Sequence, residues 1–137
     1  MMITKTYITE LKHSGNGDIS KLIKSQRDVG TINEILENLG QLPANFESDF
    51  LYELLAHNHP QVRLNAVKNI GKLNGKSKTN ELFNLFEKES DTSVRREIIS
   101  SIGRQRKPEN KIFLFETLHD NDPKIVCQAI RALLVFE

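Results

Sequence analysis

The stretch HPQVRLNAVKNIGKL, from His59 to Leu73, decides the fold because two similar stretches follow it. The second, DTSVRREIISSIGRQ, begins at Asp91, and the third, DPKIVCQAIRALLVF, begins at Asp122. Aligned residue by residue, the three copies are offset by 32 and then by 31 positions. Self-similarity at a period of about 20 to 50 residues is typical of solenoids, in which similar structural units stack on one another.

Each copy places its apolar residues on one face of a helix. Within the first copy these residues are spaced by four, one and three positions, which lays a single stripe along a helix. Pro60 and Pro123 follow residues suited to helix N-caps, and Gly71 and Gly103 lie where each helix is expected to end. The pattern predicts that the following stripes are buried: Val62, Ala66, Val67 and Ile70; Val94, Ile98, Ile99 and Ile102; Ile125, Ala129, Ile130 and Leu133.

A shorter apolar segment precedes each of these helices and predicts a first helix for each unit. These segments are FLYELLAH from Phe50, LFNLFEK from Leu82 and FLFETLH from Phe113. A weaker copy of the whole unit, ISKLIKSQRDVGTINEILENLGQL, comes before them, from Ile19. The sequence therefore predicts one all-α domain over residues 1–137, built of four helix pairs. Their predicted bounds are 18–42, 46–73, 79–105 and 108–137.

These units resemble HEAT repeats, in the short form also found in phycobilisome-lyase-type proteins. The residues that carry the resemblance are NHPQVRLNAVKNIGKL, SDTSVRREIISSIG and DNDPKIVCQAIRAL, which follow the family's pattern of an acidic residue, Pro, Val, Arg and Ala with a late Leu-Gly. The third copy departs from it, since Val126 replaces the arginine and Leu134 replaces the glycine. The resemblance implies a right-handed α-solenoid of about four helix pairs.

The arginine of this pattern has a structural role in HEAT proteins, where it bonds to acidic residues in neighbouring turns. The resemblance therefore assigns Arg63 and Arg95 to a ladder along the stack, with Asp91 and Asp122 as acidic members. Glu89 and Asp120 are also available for it. An arginine–carboxylate fork suits a partly buried turn, because the two planar groups can make two parallel hydrogen bonds.

Basic side chains lie beside the apolar stripe of the second helices. No acidic residue occurs between Glu53 and Glu81. Because second helices line the concave surface of such solenoids, we expect a basic column there that contacts phosphate groups or an acidic partner. The alternative is an ordinary solvent-exposed face. The predicted column consists of Lys68, Lys72, Arg96, Arg104 and Arg131.

No motif in the sequence predicts catalysis, a metal site or a cofactor site. His57 and His59 form a His-x-His pair, but zinc needs three or four ligands and no clustered cysteine or carboxylate supplies the others. Cys127 is the only cysteine, and no general base lies near it in sequence. The segment from Gly15 to Gly17 lacks the third glycine and the βαβ context of a phosphate-binding loop and predicts a turn instead. We therefore expect no cofactor and no activity on these residues.

Composition and resemblance together predict a binding module. The net charge is only +1, and no apolar run approaches the roughly 20 residues that span a membrane. We expect a cytoplasmic protein that binds a protein partner or duplex DNA. The order ITELKHSGNGDISKLIKSQ, TINEILENLGQLP, HPQVRLNAVKNIGKL is similar to the N-terminal HEAT segment of some site-specific bacterial DNA methyltransferases, which implies an accessory domain of a longer protein. A stand-alone protein scaffold and a bilin-lyase-type enzyme subunit are the alternatives.

The segment AIRALLVFE predicts a second surface of a different kind. Seven of its first eight residues are apolar, which is more than one helical stripe buries. Exposed apolar surface of this size promotes association. We expect it to be covered by further repeats of a longer protein or by a second copy of this chain.

Overall fold

The computed structural model describes residues 3–14, 17–73 and 78–136. In that part of the chain there is no strand, and the prediction of an all-α fold is confirmed. The handedness of the solenoid stays a prediction. The helices are α1 (Lys5–Lys12), α2 (Asp18–Lys24), α3 (Val29–Glu37), α4 (Asp49–Glu53), α5 (Pro60–Ile70), α6 (Thr79–Lys88), α7 (Thr92–Arg104), α8 (Lys111–Thr117) and α9 (Pro123–Leu134). Short 3₁₀ turns cover Leu54–Ala56 and Pro108–Asn110.

The helices from α4 onward are arranged as consecutive pairs. The second helices α3, α5, α7 and α9 form a layer in which each packs against the next, and α4, α6 and α8 pack against the second helices of their own pairs. Helix α1 packs against α2 and was not among the helices predicted from the sequence. The side chain of Thr4 accepts a hydrogen bond from the Tyr7 N–H and so caps the start of α1.

The second helices begin at polar caps. The side chains of Asp28, His59, Asp91 and Asp122 accept hydrogen bonds from backbone N–H groups in the first turns of α3, α5, α7 and α9. Each cap satisfies a donor that the helix itself leaves unpaired. The same local chemistry therefore sets the start of each second helix.

The predicted apolar stripes form the core, except that in α9 Leu133 is only partly buried and Ile130 is exposed. The stripe residues of α5 and α7 are fully buried, as are Ile125 and Ala129 of α9. Burying one valine or isoleucine side chain stabilises the fold by about 1.5–3 kcal/mol. The prediction is wrong for Ile130, which is 47% exposed, whereas Val67 and Ile99 at the same repeat position are 0% exposed. The difference arises because the next second helix covers Val67 and Ile99, while no described helix covers Ile130.

Two glycines predicted as helix ends also let neighbouring second helices approach closely. A Cβ atom at Gly71 would lie 2.7 Å from the Ser101 hydroxyl, and one at Gly103 would lie 2.8 Å from the Ala132 Cβ. Gly103 lies inside α7 rather than after it, and Gly71 follows α5 with an ordinary right-handed φ of −61°. At these two positions glycine therefore serves helix packing.

Candidate binding face

The turns between paired helices are tied together by arginine. Arg63, on α5, donates from Nε to Glu89 Oε1 at 2.7 Å and from Nη2 to Glu89 Oε2 at 2.9 Å. Its Nη1 also donates to the His57 carbonyl oxygen at 2.9 Å. The hydrogen bonds to Glu89 raise the pKa of Arg63 against the opposing effect of burial. The Glu89 side chain is only 2% exposed, so this ion pair is a structural contact rather than a free binding site.

A second arginine repeats this contact one unit later. Arg95 Nη2 donates to Asp120 Oδ2 at 2.9 Å, and its guanidinium lies 4.3 Å from the centre of the Phe86 ring. Burial raises the pKa of Asp120, but hydrogen bonds from the Asp122 N–H and from Arg95 outweigh it, and the net shift is downward.

The two aspartates assigned to the ladder have a different role. The carboxylate of Asp91 accepts from the Val94 N–H at 3.0 Å, and that of Asp122 accepts from the Lys124 N–H at 2.9 Å. The acceptors of the arginines are Glu89 and Asp120, two residues earlier in each case, and this corrects the assignment. The physical reason is that an N-cap side chain points at the first N–H groups of its own helix.

Three of the five predicted basic residues line adjacent depressions between α5, α7 and α9. We call these two depressions the second-helix groove. Arg96 lines both of them, Lys68 lines the one nearer α5, and Arg131 lines the one nearer α9. Lys68 and Arg131 are exposed and make no hydrogen bond or ion pair within the described residues. The groove is lined by Leu64, Lys68, Ser93, Arg96, Glu97 and Ser100, and on the α9 side by Pro123, Lys124, Cys127, Gln128 and Arg131.

Lys72 is engaged at the end of another helix. Its Nζ donates to the Gly40 carbonyl oxygen at 3.0 Å and to Asn69 Oδ1 at 3.1 Å. Lys12 approaches the same region, donating to the Leu39 carbonyl oxygen at 2.7 Å. Burial and the nearby Arg104, Lys12 and Lys68 lower the pKa of Lys72. Because the carbonyl end of a helix attracts cations, Lys72 acts first as a support for the segment after α3.

Arg104 is neutralised by a residue that sequence reasoning missed. Its Nη2 donates to Glu97 Oε2 at 3.1 Å and to Ser101 Oγ at 2.9 Å. The Glu97 side chain is 14% exposed and lies on the same face as the basic residues. A spacing of seven residues, about two helical turns, was the signal that could have revealed the pair.

Arg96 differs from the other two arginines of α7. Arg95 and Arg104 each have a carboxylate partner. Arg96 is partly buried, its Nε is shielded from solvent, and no hydrogen bond to it is present among the described residues. The groove therefore contains a guanidinium that the described fold leaves without an acceptor.

His57 and His59 accept local hydrogen bonds in the turn before α5. His57 Nδ1 accepts from the His59 N–H at 3.0 Å, and His59 Nδ1 accepts from the Gln61 N–H at 3.3 Å. Cys127 is exposed. Within residues 3–14, 17–73 and 78–136, no group of three or more metal-ligating side chains occurs. Of the glycine turn, Gly15 and Asn16 lie outside the described residues, and Gly17 precedes α2 with a positive φ of 68°.

Comparison with known proteins identifies the family. Residues 48–134 match the family of HEAT repeats, a range that covers α4 to α9. The chain belongs to the HEAT-repeat family. HEAT repeats generally mediate protein–protein interaction, and the family is typically a non-enzymatic scaffold. A search of curated proteins gave no match. None of the helices in the described ranges is long and apolar enough to cross a membrane.

Proposed function

We propose that this chain is a non-catalytic HEAT-repeat binding module whose second-helix groove contacts duplex DNA. The observation that carries the proposal is the run of Lys68, Arg96 and Arg131 along one groove, each without a carboxylate partner among the described residues. Cations that are not neutralised by the protein itself are available to phosphate groups. The modest net charge does not oppose this role, because the local potential of a groove steers binding.

The most specific form of this proposal is an accessory domain of a site-specific bacterial DNA methyltransferase in the cytoplasm. Its support is the order of segments described above, from ITELKHSGNGDISKLIKSQ to HPQVRLNAVKNIGKL. In this form the domain is the N-terminal part of a longer protein. It positions the enzyme on DNA, and residues outside this sequence carry the catalysis.

A protein-binding scaffold is the second candidate, and a separate observation favours it. Five large apolar side chains are well exposed in the described chain, and all lie on the last helix pair or just after it. Apolar surface of this kind fits a protein partner rather than DNA. No observation favours the bilin-lyase alternative. The five residues are Ile112, Phe115, Ile130, Leu134 and Val135.

Fluorescence anisotropy with a labelled duplex tests the DNA proposal. We expect weak binding that is independent of sequence, with a log–log salt slope of roughly −0.9 for each phosphate neutralised. Lys68→Glu and Arg131→Glu should each weaken binding. For each variant the loss should be by a similar factor on every duplex sequence. Arg27→Glu, a matched charge change at an exposed loop residue before α3, should have a much smaller effect. No binding by the wild-type chain even at low salt would rule out DNA as the partner and leave the scaffold role.

A further inference from the structure

We infer that Arg96 is the anchor of an anion-binding site between α7 and α9 that takes one phosphate group of the DNA backbone. This inference rests on the proposed DNA contact and names the residue on which it depends most. The side chain of Arg96 is partly buried, whereas Lys68 and Arg131 supply exposed charge at the edges of the groove.

The first argument is the missing partner. Arginine carries five N–H donors in a rigid fork and stays charged at every accessible pH. A polar group removed from water without an acceptor carries a desolvation penalty, and the penalty is larger for a charged group. Among the described residues Arg96 has no such acceptor, although Arg95 and Arg104 on the same helix both have one. An anion entering the groove would supply acceptor oxygens to the guanidinium.

The second argument is the surroundings of Arg96. Lys68 lies on the α5 side of the groove and Arg131 on the α9 side, so positive charge brackets the guanidinium. Ser93, Ser100 and Gln128 add neutral donors to the lining. Backbone phosphates in protein–DNA complexes are bound by these side-chain types. The one carboxylate in the lining is Glu97, and its oxygen is already bound to Arg104.

The repeat register explains why the site occurs only once among the three clear copies. The position of Arg96 is taken by Leu64 in the preceding copy and by Cys127 in the following one. The position of Lys68 and Arg131 is taken by Ser100 in the copy between them. The guanidinium of one unit therefore lies between the two outer cations of its neighbours.

The composition of the groove favours a phosphate over an acidic peptide. Peptide and protein interfaces depend on aromatic or aliphatic anchors that fill pockets. None of the five exposed large apolar side chains is among the residues that line the groove. A phosphodiester needs only charge and hydrogen-bond donors, and the groove supplies both.

The test compares Arg96→Gln, Arg96→Lys and the matched control Arg27→Gln in salt titrations of duplex binding. Losing a charge-assisted hydrogen bond should make Arg96→Gln bind about tenfold more weakly on every sequence. Its log–log salt slope should be shallower by about one. Arg96→Lys keeps the charge but loses the fork, so it should retain the wild-type slope and bind with intermediate affinity. Arg27→Gln should bind like the wild type.

Three results of the binding measurements would overturn the inference. If Arg96→Gln binds duplex as well as the wild type, the anchor lies elsewhere while the proposed function stands. If the wild type binds no duplex at low salt, the proposed function fails first and the inference with it. If a poly-glutamate peptide displaces the duplex at equal charge concentration, the groove is not selective for phosphate.

Thermal unfolding supplies a readout that a structural role would change. Because Arg96 makes no hydrogen bond to the described chain, Arg96→Gln should unfold at the same temperature as the wild type or higher. A clearly lower unfolding temperature would assign Arg96 to the fold and overturn its role as a ligand anchor.

Discussion

Arg63 and Glu89 are joined by two hydrogen bonds, of 2.7 and 2.9 Å, although 26 residues separate them in the chain. Oε2 of the same carboxylate also accepts a hydrogen bond from the Asp91 N–H at 3.0 Å. One carboxylate therefore links the second helix of one unit to the turn and the helix start of the next. Arg95 and Asp120 make the same link one unit later.

Replacing Glu89 with glutamine should destabilise the fold strongly. The substitution keeps the shape of the side chain but leaves the Arg63 guanidinium without its counter-charge in a largely buried site. Breaking one partner of a buried ion pair costs about 3 kcal/mol or more. Urea unfolding measures the loss. Glu53→Gln is the control, because the pair between Glu53 and Lys24 is long, at 3.6 Å, and exposed, and its loss should cost less than about 0.5 kcal/mol. Equal losses in both variants would contradict the structural role of the ladder.

The ion pair of Asp120 predicts a pH dependence of stability. The pKa of Asp120 is lower in the folded chain than in the unfolded chain. Such a group contributes stability above its unfolded pKa of about 4, and the contribution is lost as the pH falls through the folded value. Asp120→Asn should therefore be less stable than the wild type at neutral pH, and the difference should shrink in acid. Urea titrations at several pH values measure this, and a difference that stays constant into strong acid would show that the charge is not its cause.

Most of the fold could be predicted from the sequence because its determinants are local and repeated. The stripe from Val62 to Ile70 and the cap at Asp122 are visible in single stretches of the sequence, and repetition makes each of them more certain. The lone helix α1 has no second copy to support it. The exposure of Ile130 depends on whether a further helix packs against it, which the pattern of one helix does not record.

The candidate site was less predictable because it depends on contacts between units. The sequence places five cations on the second helices, but it does not tell which of them meet an acceptor. Lys72 donates to a carbonyl oxygen 32 residues earlier, and Arg104 donates to Glu97 two turns earlier on its own helix. Arg96 has no hydrogen-bond acceptor in the described chain. The availability of a charge is set by packing, whereas its position is set by the helical period.

The contacts of Lys68 and Lys72 predict that their substitutions separate binding from stability. Lys68 is exposed and unpaired among the described residues, so Lys68→Glu should weaken duplex binding without changing the unfolding temperature. Lys72→Glu should lower the unfolding temperature, because it removes the donor to the Gly40 carbonyl oxygen and to Asn69. Anisotropy and thermal unfolding on both variants measure the two effects. If the two variants change duplex affinity and unfolding temperature in the same way, the separate roles of Lys68 and Lys72 are contradicted.

The close approach of α7 and α9 predicts a compensating pair of substitutions. Gly103→Ala would place a Cβ atom 2.8 Å from the Ala132 Cβ and 3.2 Å from its Cα, and part of that clash is with backbone. Overpacking of this kind typically costs about 1–3 kcal/mol. Adding Ala132→Gly should restore part of the loss, although glycine within α9 carries its own cost of roughly 1 kcal/mol. If the double variant loses as much stability as the two single variants together, or more, the two positions do not clash.

Gly71→Ala is the matched comparison for Gly103→Ala. The nearest atoms to a Cβ at Gly71 are the ends of the Arg104 and Ser101 side chains, at 2.6 and 2.7 Å. The half-exposed end of Arg104 can move away and the Ser101 hydroxyl can rotate, which leaves only the Ser101 Cβ contact of 3.0 Å, whereas Ala132 presents both its Cβ and its backbone Cα. Urea unfolding should therefore give a smaller loss for Gly71→Ala than for Gly103→Ala, and the reverse order would contradict this account of the second-helix layer.

The last helix pair predicts self-association through its apolar surface. Phe83, on α6, packs against Phe113 of the next pair with ring centres 4.6 Å apart, whereas Phe115, on α8 of the last pair, is 56% exposed. Leu134 stands where the preceding copy has the closely packed Gly103, and it is 58% exposed. When two chains associate through such a patch, the burial of its apolar surface lowers the free energy of the pair. We therefore expect a concentration-dependent dimer of this chain.

Sedimentation equilibrium on the wild type and on Ile130→Lys, Leu134→Lys measures this association. Both lysines replace exposed side chains, so they should shift the chain towards monomer without unfolding it. Phe136 is left unchanged because its ring packs against the core and lies 5.2 Å from Lys111 Nζ. Asn80→Lys, Asn84→Lys is the control, since it adds the same charge at exposed positions of α6 and should associate like the wild type. A wild-type chain that stays monomeric at high concentration would contradict the prediction, and equal dissociation in both double variants would show that added charge, rather than the apolar surface, controls the equilibrium.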